Sequence, residues 1–337
     1  MPTRESDREG PAYRFGIVGF GWLGAVLGEQ LRDHERTTAV GVADVSTEAR
    51  EKAADELDLL EGELYENYQD LLRNEELDAV VVSTPHAFHY EQVTAALDAG
   101  LDVLCEKPLC IDPANAKEIT DRIENSERTV MVGYQRHLSE PYRTAREHLA
   151  DSKTEITHVD VEITQPYMDL FGGTWRTDPE LSGGGVIMDT GNHLLDGMLW
   201  TTGLTPTAVS AQVSFVDDEC RVDEAGALSI EFENGVIGSA SISGRTHRFS
   251  EHLHVYTEND AIYFDESAMT VVDGEGETDR FTADSNEEPT KIESFVEALD
   301  TGVNPPATAR DSFRASALTA AAYESARTGE RVEIDLE

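Results

Sequence analysis

Three clusters of residues in this sequence have types and spacings suited to chemistry. The first is Glu106-Lys107-Pro108, which closes the apolar run Asp102–Cys105. It puts a compact ammonium at what reads as the carboxyl end of a strand, where ligands bind in open α/β sheets. Lysine occurs only at Lys52, Lys107, Lys117, Lys153 and Lys291, and the other cations are arginine. A surface lysine can drift to arginine, so a retained one points to a need for its compact head, although a salt bridge to Glu106 is the plain alternative. The second cluster is Asp189 and His193, spaced i, i+4 and hence neighbours on one helical face, where a carboxylate can orient or charge-stabilise an imidazole. By spacing alone the structural reading of that pair is the stronger one. Gly183-Gly184-Gly185 lies just upstream and frees the backbone to approach a ligand or another strand. Oxidising an alcohol requires hydride departure while a base takes the hydroxyl proton, and histidine suits the second task near neutral pH.

The third cluster is Gly19-Phe20-Gly21-Trp22-Leu23-Gly24, which follows the apolar run Tyr13–Val18 without a break and reads as strand, tight turn, helix. Gly19 allows the turn, Gly21 lets backbone approach a pyrophosphate, and Gly24 lets the helix pack onto the strand. The helix N-terminus offers N–H groups to the phosphates. The next apolar run, Thr38–Ala43, ends in Asp44, 20 residues beyond Gly24. A carboxylate there accepts hydrogen bonds from the ribose hydroxyls and repels a 2′-phosphate, which predicts NAD over NADP. Ser46 softens that preference, and no arginine follows directly to clamp a phosphate.

The elements that position these groups are legible in the hydrophobic pattern. After the first strand and helix come strand Thr38–Asp44, a helix near Ser46–Asp58 capped by Ser46 or Thr47, and a short helix Asn67–Arg73. Asp78–Ser83 is almost continuously β-branched, as in a strand covered on both faces, and Thr84-Pro85 stops it. Helix His89–Ala99, strand Asp102–Cys105, a helix from Asp112 or Pro113 to Asn125 and strand Thr129–Val132 follow. Such alternation predicts a parallel sheet with helices on both faces. A dinucleotide-binding Rossmann domain is therefore placed at residues 1–135 and a second, α+β domain at 136–337.

In the second domain a linking helix Glu140–Ala150 leads to strand Ile156–Gln165 and a glycine-rich loop and helix, Gly172–Thr201. Strands Ala208–Phe215, Ala227–Phe232, Ile237–Ser243, His252–Thr257 and Ala261–Phe264 then succeed one another without long helices, which predicts a large, mainly antiparallel open sheet. Helices Thr290–Asp300 and Ala309–Thr328 and a short strand Val332–Ile334 close the chain, and Asp273–Pro289 reads as a flexible segment.

Charge sets further bounds. There are 67 acidic against 26 basic residues, a net charge of −41. The acidic residues are spread along the chain, in Asp55–Asp58, Glu61–Glu66 and Asp217–Glu219 among others, so the whole surface is negative. Such a surface repels nucleic acid and anionic membrane and strains the compact state in dilute salt, a strain that counterions relieve. The composition resembles that of proteins from salt-accumulating extreme halophiles. No run approaches the ~20 apolar residues of a membrane span, and the polar, acidic opening residues are unlike a secretory signal. A cytoplasmic location is expected. Cys105, Cys110 and Cys220 form neither a CxxC pair nor a disulfide framework and read as core residues in a reducing compartment. His252 and His254 share a strand face with His247 near, but no carboxylate or cysteine at ligand spacing accompanies them, so no metal is expected. The absence of any Tyr-x-x-x-Lys speaks against a short-chain dehydrogenase, and three scattered cysteines speak against a zinc alcohol dehydrogenase.

Ser83–His89 (STPHAFH), Val103–Leu109 (VLCEKPL), Val132–Tyr142 (VGYQRHLSEPY) and Trp175–Asp196 (WRTDPELSGGGVIMDTGNHLLD) in that order resemble the Gfo/Idh/MocA family, the glucose–fructose oxidoreductase and inositol dehydrogenase group. The resemblance covers nearly the whole chain, including the C-terminal AAYESARTGERVEI. It implies an NAD(P)-dependent oxidoreductase of a sugar or polyol, of the aldose or inositol-dehydrogenase type. The family also contains an NAD-dependent glycosidase and cofactor-sensing regulators, and the presence of Lys107, Asp189 and His193 speaks against the regulator. The resemblance further implies that Lys107 hydrogen-bonds the reacting oxygen, that His193 is the acid/base, and that Asp189 supports it and contacts substrate. Thr84, Pro85, His86 and His89 would border the nicotinamide ribose, and Ser83 and Glu106 would also belong to the cofactor site. Gln135 and Arg136 would lie where cofactor meets substrate. Trp175 and Arg176 read equally as residues that close over the site from the second domain or as helix and loop packing. A homodimer or homotetramer through the second domain's sheet is expected, its inner face made by Val209/Ala211/Val213/Phe215 and Leu228/Ile230/Phe232, its outer face carrying Ser239, Ser241 and Ser243.

Overall fold

The computed structural model describes residues 13–151, 155–216, 221–265, 268–282 and 288–337. Lys153, Cys220 and the acidic run at 217–219 lie outside the described residues. The chain begins with β1 (Tyr13–Val18), α1 (Trp22–Asp33), β2 (Thr37–Ala43), α2 (Thr47–Leu57), β3 (Leu64–Tyr65), α3 (Tyr68–Asn74) and β4 (Ala79–Val82). It continues with α4 (His89–Asp98), β5 (Asp102–Cys105), α5 (Pro113–Glu124) and β6 (Val130–Val132). The six strands are parallel in the order β3-β2-β1-β4-β5-β6. The order reverses between β1 and β4, and the crevice at their carboxyl ends is where such sheets bind ligands. All four residues of β4 and of β5 are buried, which is why β4 is apolar throughout and β5 apolar after Asp102. Ser46 caps α2 through the Ala49 N–H and Asp112 caps α5 through the Ala114 N–H, satisfying donors that the first turn leaves open.

The second half comprises α6 (Glu140–Asp151), β7 (Ile156–Thr164), α7 (Tyr167–Phe171), α8 (Pro179–Ser182) and α9 (Asn192–Thr202). There follow β8 (Pro206–Phe215), β9 (Asp223–Phe232), β10 (Ile237–Ser243), β11 (Ser250–Thr257), β12 (Asp260–Asp265), β13 (Ala268–Asp273) and β14 (Thr278–Thr282), then α10 (Lys291–Thr301), α11 (Ala309–Thr328) and β15 (Val332–Glu333). Nine strands form one sheet, β14-β13-β12-β11-β7-β10-β9-β8-β15, antiparallel except for the β10–β7 pair. One face packs on α9 and α11: Val209, Leu228, Ile230 and Phe232 are buried there with Leu194, Leu195, Met198 and Leu318, and Ala211, Val213 and Phe215 pack against them. Ser239, Ser241 and Ser243 point the other way.

Two features depart from the sequence reading. β13 and β14 form a hairpin across Asp273, at the start of the segment read as flexible; residues 283–287 of that segment are outside the described ones. β14 is exposed at every position, so it carries no burial pattern to reveal it. Second, α10 returns to the first sheet, where Ile292, Phe295 and Val296 join Phe15, Ile17, Leu27 and Leu31 in one core. The chain after residue 135 thus contributes to the cores of both halves.

Candidate active site

The glycine turn is shaped for close approach. Gly19 has φ +89, and a Cβ there would lie 2.9 Å from the Ser83 carbonyl group. At Gly24 a Cβ would fall 2.2 Å from the Gly19 oxygen, so only glycine lets α1 sit on the turn. Around Gly21, by contrast, a Cβ would meet nothing within 4 Å, and this open side of the backbone precedes the N-terminus of α1. Ser83 Oγ donates to the Gly19 oxygen at 2.7 Å and ties the turn to the end of β4. Phe20 is buried, whereas Trp22 is 77% exposed on the first turn of the helix, with Leu23 beside it along the cleft.

Asp44 closes β2 and is fixed by backbone donors: Phe20 N–H at 2.7 Å and Ser46 N–H at 2.8 Å. Arg50, one turn into α2, donates to the Asp44 carbonyl oxygen at 2.6 Å. No arginine follows Asp44 directly in sequence, yet the helix folds one back beside it.

A cleft joins Gly21, Trp22 and Leu23 to Ser83, Thr84 and His86, then to Glu106 and Lys107, and finally to Trp175, Arg176 and Asp189 of the second half. Lys107 Nζ donates to the Asp189 backbone oxygen at 2.9 Å and to its carboxylate. Arg176 Nε donates to the other Asp189 oxygen at 3.1 Å, and its guanidinium stacks 4.5 Å over Trp175. The Trp175 ring meets His86 edge-on at 4.8 Å, a contact between the two halves of the chain. Burial lowers the Lys107 pKa, and Asp189 offsets only part of that. For Asp189 burial acts to raise the pKa, but Lys107, His86 and Arg176 outweigh it and hold the carboxyl ionised below its usual range.

Three residues of this neighbourhood are placed differently from the sequence reading. Both Asp189 oxygens go to Lys107 and Arg176, and the buried Nδ1 of His193 has no partner among the described residues. The reason is local. Ile187–Gly191 is a π-helical turn ahead of α9, so the phase assumed for an i, i+4 pair on an α-helix does not hold. The His193 pKa is pushed well below the ordinary range by burial and then by Lys107, Arg136 and Lys291. Arg136 is itself buried and forked onto Glu251 of β11 through Nε at 2.6 Å and a second nitrogen; Tyr142 also donates to that carboxylate. His89 is fully buried with its ring nitrogens 2.8 Å from the Pro108 and Thr84 carbonyl oxygens, bracing the ends of β4 and β5. Burial lowers its pKa although both carbonyls favour the protonated ring.

Other expected contacts fall on the rim. His86 is buried, with Nδ1 3.0 Å from the Ser182 oxygen, and burial holds its pKa down at about 3. Thr84 donates to Gln92 at 2.6 Å, Pro85 opens a 3-10 turn, and Gln135 is exposed. The triple glycine approaches a strand: a Cβ on Gly185 would lie 1.9 Å from the Asp223 oxygen, and Asp223 accepts from Gly185 and Ile187 N–H at 2.6 and 2.7 Å. Lys291 was not singled out from the sequence. It donates to Glu106 at 2.6 Å from the start of α10, so the partner of Glu106 is Lys291 and not Lys107. The scarcity of lysine is the signal that could have found it, since Lys52 and Lys117 are surface residues while Lys107 is buried and Lys291 half-buried.

Comparison with known proteins agrees with this layout. Residues 13–134 match the family model described as "Oxidoreductase family, NAD-binding Rossmann fold", and residues 142–263 match the "GFO/IDH/MocA C-terminal domain". A D-xylose 1-dehydrogenase (NADP(+)) from Haloferax volcanii is 30% identical over 95% of this chain and 99% of its own. An inositol 2-dehydrogenase from Rhizobium meliloti is 24% identical over 95% of this chain and 99% of its own. A levoglucosan dehydrogenase solved with NADH and levoglucosan superposes with a TM-score of 0.84 at 17% identity, covering 96% of this chain and 100% of that one, a likeness of fold. The chain belongs to the GFO/IDH/MocA family of oxidoreductases.

Proposed function

Within that family, we propose that this chain transfers a hydride between a sugar or polyol hydroxyl and the nicotinamide of NAD(P), as an aldose or inositol-type dehydrogenase. The observation that carries the reading is the Lys107–Asp189–Arg176 charge cluster, set in the cleft that the glycine turn opens. The open backbone at Gly21 and the N-terminus of α1 suit a pyrophosphate, and Asp44 suits the adenosine ribose. A bound nicotinamide supplies the hydride chemistry.

The residues supply the rest. Lys107 spends two of its three donors on Asp189, which leaves the third for the oxygen that reacts. Asp189 holds that ammonium in place and offsets part of the effect of burial on its charge. His193, neutral because burial and three neighbouring cations disfavour its charged form, is the base for the hydroxyl proton. Arg176 and Trp175 cover the site from the second half, excluding water.

NAD is the preferred cofactor, because the carboxylate of Asp44 repels a 2′-phosphate. Arg50 beside it favours a second reading, in which NADP is also accepted, and the Haloferax volcanii relative is named for NADP(+). The protein works as a homodimer or homotetramer through the open face of the nine-stranded sheet, in a salt-rich cytoplasm that its acidic surface and free Cys105 and Cys110 fit. A panel of aldoses, polyols and their acids assayed with both cofactors in molar potassium chloride tests the activity, with reduced nicotinamide accumulating in step with the sugar consumed. No turnover across the panel, or sugar consumed without accumulation, overturns it. Light scattering that returned 37 kDa at micromolar concentration would remove the oligomer.

A further inference from the structure

We propose that His252, His254 and Asp265 form a binding site for a divalent transition ion of the zinc type on the open face of the nine-stranded sheet, away from the cleft. His252 and His254 are two apart on β11, so both imidazoles leave the same face of the strand. The antiparallel register of β11 and β12 sets Asp265 directly opposite His252, which supplies the carboxylate that the local sequence around the histidines lacks. Asp265 Oδ1 is in contact with His252 Nδ1 and 3.3 Å from His254 Nε2, and the three ligand atoms all lie within 4.8 Å of one another. Ligands about 2.1 Å from a tetrahedral ion are about 3.4 Å apart, so only small side-chain rotations separate this hydrogen-bonded state from a coordinating one.

Three further features favour an ion. The far nitrogen of His252 is 3.0 Å from Ser250 Oγ, the kind of outer contact that fixes which imidazole nitrogen faces a metal. On the other side of β11, the register sets Glu162 of β7 opposite His252 and Asp160 opposite His254, so carboxylates flank the pair along both rows. The ring of Tyr263 meets His254 edge-on at 5.0 Å and walls one side of the cluster. The side chains of His252, His254 and Asp265 are 34%, 25% and 58% exposed, which leaves an entry path. Two imidazoles and one carboxylate from adjacent strands suit zinc, cobalt or nickel better than magnesium or calcium, which favour all-oxygen sets. Bound there, the ion would cross-link β11 to β12. All three ligands come from one chain, so the site stands whether or not the sheet face meets a second copy.

The test uses the full chain, stripped with chelator, dialysed and titrated with cobalt chloride at neutral pH. Expected are saturable binding of one ion per chain, followed by calorimetry, and the intense visible absorption of cobalt held by nitrogen and oxygen. Both should vanish in His252→Gln and in His254→Gln and weaken in Asp265→Asn, while cleft activity stays at the wild-type level because none of these residues lines it. These replacements keep side-chain volume, and far-ultraviolet circular dichroism verifies the fold. Absence of saturable binding, or binding that persists unchanged in both histidine variants, overturns the proposal.

Discussion

Lys107 reaches across from the end of β5 to donate twice to Asp189, once to its backbone oxygen at 2.9 Å and once to its carboxylate, so one side chain ties the end of a strand in the first half to the turn ahead of α9 in the second. Because the ammonium is buried, its charge depends on that carboxylate. Replacing Lys107 with alanine is expected to lower kcat by about 10²–10⁴, the range for a lost acid/base or positioning group, with little change in cofactor affinity. Asp189→Asn should act in the same direction, because it leaves Lys107 and Arg176 as like charges with no counterion between them. Steady-state kinetics and cofactor binding of the two variants check this, and near-normal kcat in Lys107→Ala would move the reacting oxygen elsewhere.

How much of this was legible in the sequence depends on what each feature rests on. The parallel sheet and the glycine turn announce themselves because burial on both faces of β4 and β5, and close approach at Gly19 and Gly24, leave strong marks on residue type. The partners of Asp189 do not. They are set by a π-helical turn that shifts the side-chain phase and by a cation, Arg176, brought in from a separate loop. Arg136 illustrates the same limit: its neighbours in sequence point to the cleft, while its guanidinium is fixed by Glu251, 115 residues away. Asp265 likewise meets His252 only through strand register.

The pH dependence follows from His193. Its pKa is pushed well below 6.5 by burial and by Lys107, Arg136 and Lys291, so it is neutral through the physiological range and ready to accept a proton. The acid limb of kcat/KM for alcohol oxidation should therefore lie below the ordinary histidine range, with activity flat through pH 6.5 and above until other groups titrate. In His193→Asn that limb should disappear along with most of kcat. A limb centred near 6.5 in the wild type would show that the titrating group is a solvated histidine instead.

Stability should carry a related signature. His86 has its pKa held at about 3 by burial, against 6.5 in the unfolded chain, so between those values the unfolded state binds the extra proton. The sign follows: stability is fully present above about 6.5, the unfolded value, and is lost as pH falls toward the folded one. Melting temperature is expected to fall from pH 7 toward pH 4, and His86→Gln, which cannot charge, should flatten part of that slope. An unchanged slope in the variant would assign the acid sensitivity to other groups.

Arg136 and Glu251 form a buried pair, 8% and 6% exposed at the side chains, with Tyr142 on the same carboxylate. Removing one partner leaves an uncompensated charge inside the protein, so Glu251→Gln should destabilise by about 3–5 kcal/mol. The loss should appear in denaturant midpoints. Exposed pairs such as Arg310–Glu124 are worth about 0–1 kcal/mol and serve as controls. A loss for Glu251→Gln no larger than for Glu124→Gln would mean that water reaches the Arg136 site.

Salt acts on this molecule in two opposing ways. It weakens exposed ion pairs such as Arg32–Glu29 and Arg331–Glu231, which acts against the fold. It also screens the repulsion among charges that sum to −41 on a 37.0 kDa chain. Repulsion reaches over about a Debye length, ~10 Å at 0.1 M and ~3 Å at 1 M ionic strength, so neighbouring carboxylates interact in dilute buffer and scarcely in molar salt. The unfolded chain is more expanded and suffers less, and the excess of acidic groups far outnumbers the exposed pairs, so screening the repulsion is the larger effect. Melting temperature and activity are therefore expected to rise from 0.1 M to above 1 M potassium chloride, and the homo-oligomer proposed above should come apart before its subunits unfold as salt is withdrawn. A melting temperature that stayed flat or fell over that range would show that the ion pairs outweigh the repulsion and that the acidic surface is not an adaptation to salt.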